Sequence, residues 1–190
     1  MKVLLTWLGE TDLNCAAGTR SGLGPLASGV AEYEFDKVVI LNNYPSNKSK
    51  HYVPWLKTQT GATIELKKAK NLPSPVDYRN IFINAIAAVD DIKDQHGNEG
   101  YDLTIHLSPG TSQMQAIWIL LAKTHAPKAT LIQSSTEQGV SKVEVPFDIT
   151  ADFVGEFFRE PDDRLTRLAQ GLPPEAPQFS KIIHKSHAMK

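Results

Sequence analysis

The feature that most constrains the fold is a regular alternation of short apolar runs with longer segments of helical spacing. Five of the runs predict strands: Lys2–Leu8, Lys37–Leu41, Ala62–Leu66, Tyr101–Leu107 and Ala129–Gln133. The first is continuous, and the second is β-branched and predicts a buried strand. Helical spacing is found over Leu23–Phe35, Ser49–Thr60, Asp77–Asp94 and Ser112–His125. Strands that alternate with helices form βαβ units, which require a parallel sheet covered on both faces. The sequence therefore predicts an α/β, Rossmann-like fold with a mostly parallel, five- to six-stranded sheet and helices on both faces.

The C-terminal part of the chain differs in character from this alternation. Lys142–Val145 is predicted to add a sixth strand at an edge, and Ile149–Phe158 a short closing helix. From Arg159 onward the chain has many charges, four prolines and few apolar residues. This composition is typical of a linker.

Composition narrows the classes of function. The formal net charge of −1 offers no basic excess for nonspecific binding to duplex DNA. The single cysteine, Cys15, excludes an intramolecular disulfide and a zinc site built on cysteines, and it is typical of a reducing, cytoplasmic protein. None of the histidines has metal-ligand spacing with another ligand, so no metal or cofactor is expected. No apolar segment approaches the length of a membrane span.

The loop between the fourth strand and the following helix is the first candidate site. It contains Ser108, Gly110, Thr111 and Ser112. Gly110 allows the backbone to approach a ligand closely, and Thr111 or Ser112 is suited to cap the helix. Free N–H groups at a helix start suit a phosphate. The alternative is a well-capped turn that binds nothing.

Other loops are expected at the same edge, because ligands of doubly wound sheets bind beyond the carboxyl ends of the strands. The long connection Gly9–Gly24 carries Glu10, Thr11 and Arg20, and Arg20 is a candidate partner for a phosphate. Asn42–Asn47 follows the second strand. Gln133 and Ser134 end the fifth strand and are candidates to hydrogen-bond a base or ribose. The alternative for Gly9–Gly24 is a flexible surface loop, and the alternative for Gln133 and Ser134 is a polar strand terminus that binds nothing.

Several common sites are absent from the sequence. Gly22 and Gly24 lie too far from the first strand for a dinucleotide-binding Gly-x-Gly-x-x-Gly motif. The chain has neither a phosphate-binding Gly-Lys-Ser/Thr loop nor the Gly-x-Ser-x-Gly elbow of hydrolases. We assign no catalytic residue.

A family resemblance follows from the stretch Tyr101–Thr111, continued through Gln115, Trp118 and Leu121 to Leu131–Ser135. It is similar to the sensor domains of RtcR-type RNA-repair regulators, which are of the CARF class (CRISPR-associated Rossmann folds). The resemblance implies a homodimer that binds a nucleotide or RNA-derived ligand at a two-fold axis. The ligand residues that it implies are Gly9, Glu10, Thr11, Ser108, Gly110, Thr111 and Ser112.

One departure from the family pattern bears on the ligand. Many CARF domains have Gly-Gly-Thr-Lys at this loop, whereas this chain has Pro109-Gly110-Thr111-Ser112. The absent lysine removes a phosphate partner. An RNA terminus or another nucleotide therefore becomes more credible than a cyclic oligoadenylate.

The C-terminal segment Phe179–Met189 carries a second resemblance. Its Phe…Ile-x-x-Ser-x-x-Met pattern is similar to the start of the ATPase domain of sigma-54-dependent activators. We therefore expect a sensor domain over residues 1–158, a linker over 159–178 and the beginning of a truncated AAA+ domain over 179–190. The resemblance implies that sigma-54 RNA polymerase and DNA are contacted through domains beyond this sequence.

Three functions follow as hypotheses. The first is a regulatory sensor whose ligand controls the tethered ATPase, with no enzyme activity in this part of the chain. The second is a ring-nuclease-like enzyme that cleaves a cyclic oligoadenylate. The third is a dimerisation module without a ligand. The lack of an acid–base pair at the loops favours the sensor.

Overall fold

The computed structural model describes residues 1–97, 100–135 and 137–146. The expected closing helix, the linker and the ATPase-like segment lie outside the described residues.

Six strands form one sheet in the order β3-β2-β1-β4-β5-β6. All neighbouring pairs are parallel except β5 and β6, which are antiparallel. The predicted α/β, mostly parallel architecture is therefore confirmed. The strands are β1 (Lys2–Trp7), β2 (Lys37–Asn42), β3 (Thr63–Lys68), β4 (Asp102–His106), β5 (Thr130–Ser135) and β6 (Gly139–Lys142).

Six helices connect or follow the strands within the described residues. The two longest, α5 and α6, coincide closely with two helices predicted from apolar spacing. The helices are α1 (Glu10–Ala16), α2 (Pro25–Glu32), α3 (Ser46–Ser49), α4 (Tyr52–Leu56), α5 (Tyr78–His96) and α6 (Ser112–Thr124).

Three local predictions were wrong. The predicted loop Gly9–Gly24 contains α1, whose seven residues are too few to show a clear apolar period. The predicted helix Ser49–Thr60 is replaced by α3 and α4, because Pro54 has no N–H group and is tolerated only in the first turn of a helix that starts afresh. The sixth strand lies earlier than Lys142–Val145, because it pairs with β5 from Ser135 and Gly139 onward.

Both faces of the sheet are covered, each by its own apolar cluster. On one face Trp7 packs against Trp118 of α6, with ring centroids 6.2 Å apart. On the other face Leu26 of α2 and Tyr52 of α4 are fully buried. The cover on both faces explains why β1 is buried at every position from Val3 to Trp7 rather than at alternate ones.

The order of the strands reverses at β1. From β1 the chain proceeds to β2 and β3 on one side, and then crosses to β4 on the other. The connections after β1 and β4 must therefore diverge, which leaves a crevice at their carboxyl ends.

Candidate functional site

A cleft of about 280 Å³ lies at this switch point. The segments that follow β1, β2 and β4 form its walls, together with the start of α2 and the segment before α5. Its lining residues are Leu8, Gly9, Glu10, Thr11, Asp12, Pro25, Asn43, Tyr44, Pro75, Ser108, Pro109, Gly110, Thr111 and Met114.

Two glycines bring the loops after β1 and β4 into contact. A Cβ atom placed on Gly9 would lie 3.4 Å from the Gly110 nitrogen and 3.5 Å from the Pro109 Cα. Gly110 has a φ of +97°, and a Cβ atom there would lie 2.7 Å from Met114 Sδ. Larger residues at these positions would separate the loops or displace the start of α6. The two glycines therefore allow the loops after β1 and β4 to pack directly against each other beneath the cleft.

The start of α6 is capped by Thr111. Its Oγ1 accepts from the Met114 N–H at 3.4 Å and donates to the Pro75 carbonyl oxygen at 2.7 Å. The Thr111 N–H in turn points to Met114 Sδ at 3.4 Å. The hydroxyl thus ties α6 to the segment before α5, and it already has two partners within the protein.

Asp12 is a site residue that sequence reasoning missed. Its carboxylate is fully buried in the cleft wall, and Oδ1 accepts from the Leu26 N–H of α2 at 2.8 Å. Within the described part of the chain Oδ2 has no hydrogen-bond partner. Burial raises the pKa of this carboxyl to about 7, although backbone N–H groups at Leu26 and Gly9 oppose the shift. Asp12 therefore links the starts of α1 and α2, a role visible only once both helices are placed.

The ends of β4 and β5 are joined by serines. Ser134 N–H donates to Ser108 Oγ at 2.6 Å, and Ser108 Oγ donates to the Ser134 carbonyl at 3.0 Å. Ser134 Oγ donates to the Pro25 carbonyl at 3.0 Å and lies 2.8 Å from His106 Nε2. Ser134 thus fixes one wall of the cleft from behind, and its hydroxyl is already engaged within the protein.

The cleft brings together six of the nine residues predicted for the ligand site: Gly9, Glu10, Thr11, Ser108, Gly110 and Thr111. The other three do not line it. Ser112 is exposed, and its hydroxyl donates to Gln113 Oε1 at 3.2 Å. Gln133 lies opposite Ser141 in the β5–β6 ladder, and Ser134 lies behind Ser108.

The second strand adds Asn43 and Tyr44 to the cleft. The backbone of Tyr44 is held on two sides: its N–H donates to Asn42 Oδ1 at 2.8 Å, and its carbonyl accepts from Lys68 Nζ at 2.8 Å. The position of this loop was predictable from the parallel sheet. The role of Tyr44 was not predictable, because Asn42 and Lys68, which hold its backbone, belong to different strands.

The electrostatic character of the cleft is acidic. Its lining includes the carboxylates of Glu10 and Asp12 and no lysine or arginine. Arg20 approaches it indirectly, with Nη1 donating to Thr11 Oγ1 at 3.4 Å. The described residues contain no group of three side chains able to hold a metal ion. They also contain no helix that could span a membrane.

No protein-family model and no curated protein sequence matches the chain. Solved structures do. Csm6 from Enterococcus italicus, bound to cyclic hexa-2'-fluoro-hexa-dAMP, superposes with a TM-score of 0.63 at 18% identity, over 85% of this chain and 45% of that one. The fold of this chain is therefore similar to that of the matching part of Csm6.

Two further structures are similar to the chain. VC1899 from Vibrio cholerae has a TM-score of 0.52 at 6% identity, over 78% of this chain and 34% of that one. Can2 from Sulfobacillus thermosulfidooxidans, in complex with cyclic tetra-adenylate, has a TM-score of 0.48 at 14% identity, over 97% of this chain and 57% of that one. The chain therefore spans less than two thirds of each of these proteins, and the likeness is one of fold.

Proposed function

We propose that this chain contains a sensor domain that binds a nucleotide or RNA-derived ligand at the switch-point cleft. The observation that carries the proposal is the contact between the Gly9 and Gly110 loops beside the start of α6. Such a backbone-lined crevice is where doubly wound folds hold nucleotides. The fold that the chain shares with Csm6 supports the same ligand class, since the Csm6 structure contains a cyclic oligonucleotide.

The lining favours contact with a nucleoside over contact with a phosphate. Glu10 supplies carboxylate acceptors for amino or hydroxyl groups, and Tyr44 supplies an aromatic side chain. The lining contains no lysine or arginine, so a phosphate here would rely on the start of α6 and on Arg20 beside Thr11. These features favour a ligand whose base or ribose enters this cleft.

We further propose that the domain is a homodimer and regulates a tethered sigma-54-type ATPase. The first part follows from the resemblance to CARF sensors, and the second from the pattern over Phe179–Met189. Ligand binding would then shift the dimer between two states, one of which represses the ATPase domain and one of which releases it. Sedimentation equilibrium at micromolar concentration tests the dimer, and a purely monomeric chain would contradict it.

Mass spectrometry of material released from the purified, denatured protein is the first test of the ligand. Calorimetry with nucleotides, cyclic oligoadenylates and short RNAs then measures binding. We expect Gly110→Val to weaken binding, because the added side chain would press on Trp7 and Met114 and displace the loop that lines the cleft. Gly139→Val is the matched control, since Gly139 also has a positive φ, of +69°, and a Cβ atom there has no neighbour within 4 Å. Equal affinity in both variants, each shown to be folded by circular dichroism, would place the ligand elsewhere.

A further inference from the structure

A second cavity, of about 510 Å³, adjoins the switch-point cleft. We name it the α1–α4 cavity, because α1, α3 and α4 surround it. It shares Glu10 and Tyr44 with the cleft. Its full lining is Glu10, Leu13, Asn14, Ala16, Ala17, Tyr44, Asn47, Lys48, His51 and Tyr52.

The two cavities differ in their charged residues. Glu10 lines both, but the switch-point cleft adds Asp12 and no lysine or arginine, whereas the α1–α4 cavity adds the ammonium of Lys48 and the imidazole of His51. Among the described residues, no carboxylate lies within ion-pair distance of either side chain. Besides Arg20, which contacts Thr11 of the cleft, a positive charge is therefore present in the cavity that shares Tyr44 with the cleft.

The segment that carries Lys48 is held by buried polar contacts. Asn42 at the end of β2 donates from Nδ2 to Ser49 Oγ at 2.8 Å, and Ser49 Oγ lies 3.4 Å from the Pro45 carbonyl oxygen. Asn42 and Ser49 are 4% and 2% exposed, respectively. A buried hydrogen bond of this kind fixes α3 against the sheet edge. The base of the Lys48 side chain is thus positioned before any ligand binds.

Tyr52 forms part of the wall of the α1–α4 cavity. Its side chain is 1% exposed, and its phenol oxygen is buried. The neighbouring Trp55 ring, 5.6 Å from that of Tyr52 between centroids, supports the wall from behind.

Size is compatible with a ligand that extends over both cavities. Pockets that enclose small ligands usually measure about 300–1,000 Å³, and the switch-point cleft alone, at about 280 Å³, falls below this range. Together with the adjoining cavity, the space suits a nucleoside and an attached phosphate.

We infer that the α1–α4 cavity is a phosphate subsite, in which Lys48 and His51 bind a phosphate of the nucleotide whose nucleoside occupies the switch-point cleft. The inference rests on the proposed function. Glu10, at the shared wall, accepts a hydrogen bond from the nucleoside, while Lys48 and His51 lie only in the α1–α4 cavity. A flexible lysine suits this role, because its compact ammonium binds phosphate as a point charge.

The test compares the four ribonucleosides with their 3'- and 5'-monophosphates by calorimetry on the full chain. In the wild type we expect each monophosphate to bind about tenfold more tightly than its nucleoside, because one charge-assisted hydrogen bond contributes a gain of this size. Lys48→Gln should remove most of this gain and leave nucleoside affinity unchanged. Lys50→Gln is the matched control, since Lys50 is an exposed lysine on the same segment that does not line the cavity.

The outcomes separate the subsite from the proposed function. A full phosphate gain in both Lys48→Gln and His51→Gln overturns the phosphate subsite, while nucleoside binding would still support the proposed cleft. Equal loss in Lys48→Gln and Lys50→Gln also overturns it, because the effect would then be one of general charge. Absence of binding of every probe to the wild type overturns the proposed function and the subsite with it.

Discussion

The imidazole Nε2 of His106 lies 2.8 Å from Ser134 Oγ, and this contact fixes the tautomer of the histidine. Ser134 donates its own proton to the Pro25 carbonyl at 3.0 Å. Its oxygen must therefore accept from His106, which places the ring proton on Nε2. Within the described residues Nδ1 has no partner, and burial lowers the pKa of His106 to about 4. The ring is thus a neutral donor that supports the cleft from the core.

The first prediction concerns this tautomer. ¹⁵N NMR correlations of the imidazole should show the Nε2–H form of His106 without change from pH 8 to about pH 5.5, because protonation is confined to the neighbourhood of pH 4. The observation of the Nδ1–H form, or of titration near pH 6.5, would contradict the assignment.

Ser134→Ala tests the same contact energetically. It leaves the Nε2–H of His106 and the Pro25 carbonyl without their present partner. We expect the free energy of unfolding in urea to fall by about 1–3 kcal/mol, the usual cost of an unsatisfied buried group. Ser112→Ala is the control, because Ser112 is exposed and should change stability by less than about 0.5 kcal/mol. Equal effects would mean that the His106–Ser134 contact contributes nothing.

The pH dependence of Asp12 has the opposite sign to that of His106. The folded-state pKa of Asp12 is about 7, above the ordinary value of 3.8, so the folded protein binds more protons between these values. The stability that Asp12 contributes is therefore present below about pH 4 and is lost as the pH rises through 7. For His106, whose folded pKa is depressed, stability is lost as the pH falls from 6.5 toward 4.

Comparison of the wild type with Asp12→Asn isolates the Asp12 effect, since His106 is common to both proteins. Between pH 4 and 7 the wild type should lose stability relative to Asp12→Asn, by at most about 1.4 kcal/mol per pH unit. Urea unfolding at several pH values measures the difference. A constant difference across this range would show that the folded-state pKa of Asp12 is not raised.

Gly110→Ala should destabilise the protein by about 1–3 kcal/mol, because a φ of +97° is strained for any residue with a Cβ atom. The new atom would also lie 3.3 Å from Trp7 Cβ and closer still to Met114 Sδ. Gly61→Ala is the matched control, as it has open space and no positive φ. Thermal unfolding measures the melting temperatures of the two variants. Equal melting temperatures would contradict the interpretation that the Gly110 loop is strained.

Thr111→Val should lower the free energy of unfolding by about 1 kcal/mol, the typical value of a helix N-cap. The variant loses both the cap on Met114 N–H and the link to Pro75. Thr111→Ser keeps the hydroxyl and should restore most of the stability. If Thr111→Val and Thr111→Ser are equally stable in urea, the hydroxyl contributes no cap.

The sequence by itself determined the class of fold. The β-branched run Lys37–Leu41 and the periodic apolar face of Asp77–Asp94 predict their own local structure, because burial imposes a different period on a strand and on a helix. Their alternation then implies a parallel sheet, and a parallel sheet implies a ligand edge. The Gly9 and Gly110 loops were predicted at this edge for that reason.

Only the tertiary structure decided which side chains line the cleft and which merely support it. Ser134 and Thr111 carry hydroxyls that suit a ligand, yet both hydroxyls are bonded within the protein. The local sequence around Asp12 and Lys48 did not indicate their roles. Asp12 is buried, and Lys48 lies beside a cavity, only because α1, α2 and α4 pack at the same edge of the sheet. Such contacts join residues distant in sequence, and no local period in the chain encodes them.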